Sequence, residues 1–85
     1  MNIMIVNTNS GECGKMLFTE RTDIDASIVK DYLEWCGTAA EHDVYEVKDE
    51  ELQYYCYEAW YPIDSVLNMM KEMAERQRTI RTRDK

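Results

Sequence analysis

Residues 2–20 read NIMIVNTNSGECGKMLFTE, two apolar runs separated by a segment rich in Asn, Ser and Gly. Ile3, Ile5 and Val6 in the first run suit a strand that is covered on both faces, and residues 16–18 suit its partner. The residues between the runs tolerate tight turns and positive φ angles. The stretch therefore predicts a β-hairpin with strands over residues 2–7 and 15–20.

A first amphipathic helix is predicted from about Asp23 to Cys36, where apolar residues recur at helical spacing. Thr22 and Asp25 have the spacing of a capping box, in which a side chain binds the free amides of the first turn. Gly37 suits the left-handed conformation that often ends a helix. These signals bound the helix at both ends.

The last predicted helix begins near Asp64, shortly after Pro62, and keeps an apolar stripe as far as Gln77. The helical pattern is lost beyond that residue. Residues 78–85 are therefore predicted to form a basic tail that frays.

The middle of the chain contains a predicted third strand and an ambiguous segment. Residues 43–47 alternate and are rich in β-formers. For residues 50–60 a helix capped by Asp49 is the favoured interpretation. A long fourth strand is the alternative, because tyrosine and tryptophan also suit a sheet.

Together these elements predict one α+β domain over residues 1–77, followed by the tail at residues 78–85. The domain has a small, mainly antiparallel sheet of three or four strands packed against two or three helices. A chain of 85 residues is too short for a second domain. No stretch approaches the length of an apolar membrane helix, so no membrane is expected as a partner.

Charge is unevenly distributed in this protein of net charge -7. Residues 20–64 hold 13 acidic and 3 basic side chains, whereas residues 76–85 hold 5 basic and 1 acidic. An anionic body repels nucleic acid phosphates and is attracted to basic surfaces. The expected partner is therefore a protein or protein complex with a basic surface, bound by a monomer or a homodimer.

Catalysis and metal binding are not expected. Cys13, Cys36 and Cys56 are odd in number and widely spaced, which predicts free thiols in a reducing, cytoplasmic compartment. Zinc motifs need paired short spacings, and His42 is the only histidine available as a base for a nucleophile. The sequence therefore predicts a non-enzymatic protein without a cofactor or metal.

Aromatic and acidic residues concentrate between residues 49 and 61, a composition typical of protein contact surfaces. The alternative is that the tyrosines close over a small core with their hydroxyls in water. The predicted partner-binding residues are Glu50, Glu51, Tyr54, Tyr57, Glu58 and Tyr61, with Trp35 as a second anchor and Asp31 and Glu34 extending the anionic surface.

This order of parts resembles that of small acidic accessory proteins from bacteriophage and other mobile-element genomes, among which inhibitors of bacterial defence systems are frequent. The likeness is carried by the hairpin Ile3–Phe18 and by the passage Val44–Leu52. It implies an anti-defence protein, such as an anti-CRISPR protein, that blocks a nucleic-acid-handling or effector complex by stoichiometric binding, with nucleic-acid mimicry as one mode. The alternative is a small regulator that binds nucleic acid through the arginines and lysine of residues 76–85.

Overall fold

The structure is a computed structural model that describes residues 1–10 and 13–83. It confirms the α+β fold, with a four-stranded, mostly antiparallel sheet and two α-helices. The strands are β1 (Asn2–Asn7), β2 (Gly14–Phe18), β3 (His42–Glu46) and β4 (Tyr57–Trp60). The helices are α1 (Ala26–Trp35) and α2 (Asp64–Arg83), with short 3-10 helices at Ala39–Glu41 and Asp49–Tyr54.

The strand order is β3-β1-β2-β4. β1 pairs antiparallel with β2 and β3, whereas β4 lies parallel to β2. The register aligns Tyr45, Met4, Met16 and Ala59 in one row across the sheet and Val44, Ile5, Lys15 and Glu58 in the next. Because side chains alternate along a strand, these two rows point to opposite faces.

One face of the sheet packs against both α-helices and contains the main core. Its fully buried side chains include Ile3 and Leu17 from the sheet, Val29 from α1 and Met70 from α2. Apolar burial of this kind is the dominant favourable term in folding. We call this the helical face.

The other face has a smaller buried cluster of Met4, Met16 and Val47. Leu52 and Tyr55 pack against this cluster from the 3-10 segment Asp49–Tyr54 and the residue after it. Both α-helices lie on the opposite side, so aromatic residues and this short segment cover the second face. We call it the open face.

The predicted helix over residues 50–60 is wrong. Residues 49–54 form the 3-10 helix, and residues 57–60 form an edge strand on β2. The unpaired edge of β2 offers ladder hydrogen bonds that a helix here leaves unused, and tyrosine and tryptophan favour strands. Asp49 is not the N-cap, which is Lys48; its carboxylate accepts a hydrogen bond from Asn2 Nδ2 at 2.6 Å.

Helix α1 begins later than predicted because Asp25 itself is the N-cap. Its carboxylate accepts hydrogen bonds from the Ser27 hydroxyl at 2.7 Å and from the Ile28 amide at 2.9 Å. These bonds, that from Ser27 foremost, hold the pKa of Asp25 below its usual range. After the helix, Gly37 has φ +81°, which confirms the left-handed end expected of this glycine.

The expectation that the chain frays from residue 78 is wrong for residues 78–83, which continue α2 to Arg83. The Arg78 guanidinium binds the carboxylate of Asp31 on α1 and donates to Ser27 Oγ at 3.0 Å. Contacts across the helix pair therefore stabilise turns that lack an apolar stripe. Asp84 and Lys85 lie outside the described residues.

The prediction of free thiols is wrong for two of the three cysteines. Cys13 and Cys56 form a disulfide, and Cys36 is free and exposed. The bond joins the start of β2 to the start of β4, where the Gly14 amide also donates to the Cys56 carbonyl at 3.2 Å. A Cβ atom at Gly14 would lie 2.9 Å from Met4 Cε and 3.0 Å from the Ile5 carbonyl oxygen, so a larger residue here would have to displace the Met4 side chain.

Neither α-helix combines the length and apolarity needed to cross a bilayer over the residues that the structure describes. Residues 11 and 12, which belong to the predicted hairpin turn, lie outside the described residues.

Candidate protein-binding surface

Five aromatic side chains from four parts of the chain meet on the open face. They are Phe18 from the end of β2, Tyr45 from β3, Tyr55 from the segment before β4, and Tyr57 and Tyr61 at the two ends of β4. We call these five residues the aromatic face. Sequence-distant residues become neighbours here because the register fixes which side chains share a face.

The rings of the aromatic face contact one another in two groups. Phe18 stacks on Tyr61 with a centroid distance of 5.1 Å and meets Tyr57 edge-on at 5.9 Å. The second group, on the same face of the sheet, is Tyr45 and Tyr55, whose ring centroids are 6.2 Å apart. Such geometries are favourable for aromatic pairs and hold each ring in a defined position. Each of the five rings therefore has at least one aromatic neighbour within the surface.

The outermost aromatic side chains are strongly exposed. Tyr61 is 71% exposed, and Tyr54, the last residue of the 3-10 segment and the neighbour of Tyr55 in sequence, is 76% exposed. Phe18, Tyr55 and Tyr57 are half-buried, because they also cover the smaller core. The alternative that tyrosines close over a small core therefore describes Tyr55 and Tyr57, and a contact role for the exposed Tyr54 and Tyr61 stays a prediction.

Asp43 borders the aromatic face, because it lies two residues before Tyr45 on the same side of β3. Glu50 and Glu51 lie in the 3-10 segment that precedes Tyr55. Partial burial raises the pKa of the Tyr45 phenol, with smaller contributions from Tyr55 and from the negative charge of Asp43. Tyr45 is therefore a neutral hydrogen-bonding group at neutral pH.

Of the nine predicted contact residues, Tyr57 and Tyr61 lie on the aromatic face, where both contact Phe18, and Glu50, Glu51 and Tyr54 lie in the 3-10 segment that precedes β4. Glu58 is exposed but belongs to the opposite row, beside Lys15 on the helical face. The alternation of β4 separates it from Tyr57, its neighbour in sequence. Its role as a contact stays a prediction, but that contact cannot be made from the same face.

Trp35, Asp31 and Glu34 lie in the helical layer. Trp35 is 38% exposed and borders a groove against α2. Asp31 is 7% exposed, and its carboxylate binds Arg78 and Arg81, the latter at 3.2 Å. Glu34 accepts from Gln77 and Arg81, both at 3.0 Å. Asp31 and Glu34 therefore join the helices and do not extend the acidic surface of the open face.

Replacing Asp31 with asparagine should lower the free energy of unfolding by about 1–2 kcal/mol. The change removes the charge that binds Arg78 and Arg81, although both arginines are partly exposed and regain water. Amide hydrogen exchange of residues 78–83 should become faster, since these turns depend on the contacts with α1. Glu75→Gln removes an exposed charge from the same helix, and we expect a change of less than about 0.5 kcal/mol. Equal exchange rates in both variants would show that the ion pairs do not hold the end of α2.

Four members of this surface, Phe18, Tyr45, Tyr55 and Asp43, were not predicted as contacts. The sequence did place Phe18, Tyr45 and Asp43 in strands, and the period of two puts Asp43 and Tyr45 on one side of β3. What the sequence lacked was the register that joins these strands to β4.

Over residues 1–10 and 13–83, no group of three or more His, Cys, Asp or Glu side chains is arranged to hold a metal ion. Comparison of the chain with protein-family models, curated proteins and solved structures gives no match.

Proposed function

We propose that this protein is a stoichiometric inhibitor that binds a basic protein surface through the aromatic face and its bordering carboxylates. The observation that carries the proposal is the group of five rings from four parts of the chain, held by ring contacts and left uncovered by the α-helices. Rigid tyrosines bind partners at low entropic cost and are enriched where binding energy concentrates.

The carboxylates and the aromatic rings are expected to act at different stages of binding. The carboxylates Asp43, Glu50 and Glu51 attract a basic groove and speed the encounter, an effect that salt screens. The rings then exclude water and slow dissociation. Affinity should therefore fall with increasing salt without disappearing.

The partner class follows from this charge and from the resemblance to mobile-element accessory proteins. A groove that binds nucleic acid is basic, so an acidic surface competes for it directly. We therefore propose a host nucleic-acid-handling or defence complex as the target, reached in the host cytoplasm. Inhibition is then by occupation of the groove and needs no catalysis.

The alternative of a nucleic-acid-binding regulator depends on the arginines of α2. Arg78 and Arg81 bind carboxylates of α1, and Arg76 binds Glu72 at 2.8 Å. A phosphate backbone must compete with these bonds. Titration of labelled DNA and RNA with the full chain at low salt separates the two functions, and saturable binding would favour the regulator.

Affinity capture from a bacterial lysate, with mass spectrometry, tests the proposal when matched baits are compared. We expect the intact protein to retain one dominant complex and the double variant Tyr54→Ala with Tyr61→Ala to lose it. With the purified complex, the double variant should bind more than about 30-fold more weakly, the effect of a contact worth at least about 2 kcal/mol. Both side chains are more than 70% exposed, so the melting temperature should change little.

Two variants on the other side of the molecule are the controls. Glu58→Ala removes an exposed carboxylate from the helical face, and Trp35→Ala removes an exposed aromatic ring from α1. Both should retain the complex with unchanged affinity. Loss of binding in either control, with full binding by the tyrosine double variant, would contradict the assigned surface.

A further inference from the structure

A cavity of about 410 Å³ lies on the helical face of the sheet, away from the aromatic face. Its walls come from three elements: Ile5 and Trp60 from the sheet, Tyr32 and Leu33 from α1, and Met70 from α2. The volume lies within the range of small-molecule sites, which are mostly apolar with a few polar groups. This cavity is therefore large enough for a compound with one or two rings.

The charge of the cavity is opposite to that of the protein. Among the described residues its lining includes Lys15 and His42 but no carboxylate. Three other clefts between described residues each contain at least two carboxylates, which is the expectation for a chain of net charge -7. Counting described residues alone, this cavity is the one cleft of the four whose lining carries a cation without an anion.

The polar groups of the cavity have defined positions. The ammonium nitrogen of Lys15 lies 5.6 Å from the ring centroid of Trp60, so an aromatic wall and a positive charge occur side by side. His42 Nδ1 lies 2.9 Å from the Thr38 carbonyl oxygen. Because a carbonyl oxygen only accepts, Nδ1 carries the proton, and in the neutral ring Nε2 is an acceptor.

We propose that this cavity binds a small aromatic carboxylate. In this arrangement the ring of the ligand contacts Trp60, Tyr32 and the aliphatic walls, and the carboxylate pairs with Lys15. The inference is independent of the proposed inhibitory function, since the two sites lie on opposite faces of the sheet.

Titration of the isotope-labelled, disulfide-intact protein with indole-3-acetate, followed by two-dimensional NMR, tests this site. We expect saturable shifts of the Lys15 and Leu33 amides and of the Trp60 indole N–H, with a dissociation constant on the order of 1 mM for a ligand of this size. Tryptamine has the same ring with an amine in place of the carboxylate, and it should bind at least about tenfold more weakly. The net negative charge of the protein attracts the tryptamine amine more than the indole-3-acetate carboxylate. Tighter binding of indole-3-acetate would therefore indicate a positive charge within the cavity.

Two lysine variants provide the matched control. Lys15→Gln should weaken binding of indole-3-acetate about fivefold, whereas Lys48→Gln, which removes an exposed lysine elsewhere, should leave it unchanged. Absence of saturable shifts, equal binding of tryptamine, or equal weakening by both variants would overturn the proposal. Shifts confined to Tyr45, Tyr57 and Tyr61 would also overturn it, because they place the ligand on the aromatic face.

Discussion

Replacing Cys56 with serine should lower the free energy of unfolding by about 4 kcal/mol and the melting temperature by roughly 20 °C. The Cys13–Cys56 bond joins residues separated by 43 positions, and a cross-link of that span removes much of the entropy of the unfolded chain. A domain of this size has roughly 4–13 kcal/mol of stability in total. Urea unfolding of the oxidised protein and of the variant measures the difference.

Loss of the Cys13–Cys56 bond should also destabilise β4 locally. This strand has four residues and pairs with β2 alone, and the disulfide lies at the first residues of that pairing. Without the bond, amide exchange in β4 should increase more than in β1, which pairs on both sides.

Cys36→Ser is the matched control, because the Cys36 thiol is free and exposed. This variant should unfold at the same urea concentration as the unchanged protein. Treatment of the unchanged protein with dithiothreitol should reproduce the loss seen with Cys56→Ser. If oxidised and reduced protein unfold together, the bond makes no net contribution to stability.

The stability of the reduced protein also matters for the proposed action in the host cytoplasm. The cytoplasm of most organisms keeps thiols reduced, so an inhibitor acting there must fold without this bond or protect it. Tyr57 directly follows Cys56 and packs on Phe18. A loosened β4 therefore disturbs the aromatic face, and partner binding by reduced protein should be weaker than binding by oxidised protein.

The parts of the fold that depend on local sequence were predictable. The hairpin and α2 follow from short-range apolar patterns, and Gly37 ends α1 as expected. Residues 57–60 were not predictable from their own sequence, because tyrosines and a tryptophan fit a helix face as well as a strand. Pairing with β2, across some 43 residues, decides between them.

The end of α2 and the candidate surface also depend on contacts between residues far apart in the sequence. Arg78 and Arg81 bind Asp31 from 47 and 50 residues away, so no local pattern reveals that residues 78–83 stay helical. The tyrosines of residues 54–61 predicted a contact surface in this part of the chain, and their role in binding stays a prediction. Which residues share this surface depends on two features of the sheet. The alternation of side chains along β4 separates Glu58 from Tyr57, and the strand register brings Phe18 and Tyr45 to the same face.

Leu17→Ala should lower the free energy of unfolding by about 3 kcal/mol. Leu17 is fully buried in β2, a strand paired on both sides, and its side chain belongs to the core between the sheet and both helices. Removing it leaves a cavity whose walls come from the sheet and both helices and relax little. Urea unfolding should show a lower midpoint with an unchanged slope, as expected when stability changes and the extent of unfolding does not.

Leu52→Ala makes the same chemical change on the open face and is the matched comparison. Leu52 is half-buried, and it covers the smaller cluster from a short 3-10 segment that can adjust. We expect a loss of about 1 kcal/mol, because less apolar area is exposed to water. A loss equal to that of Leu17→Ala would mean that the open face is a main core of the domain. The tyrosines above it would then act chiefly in folding, and the proposed contact surface would lose its physical basis.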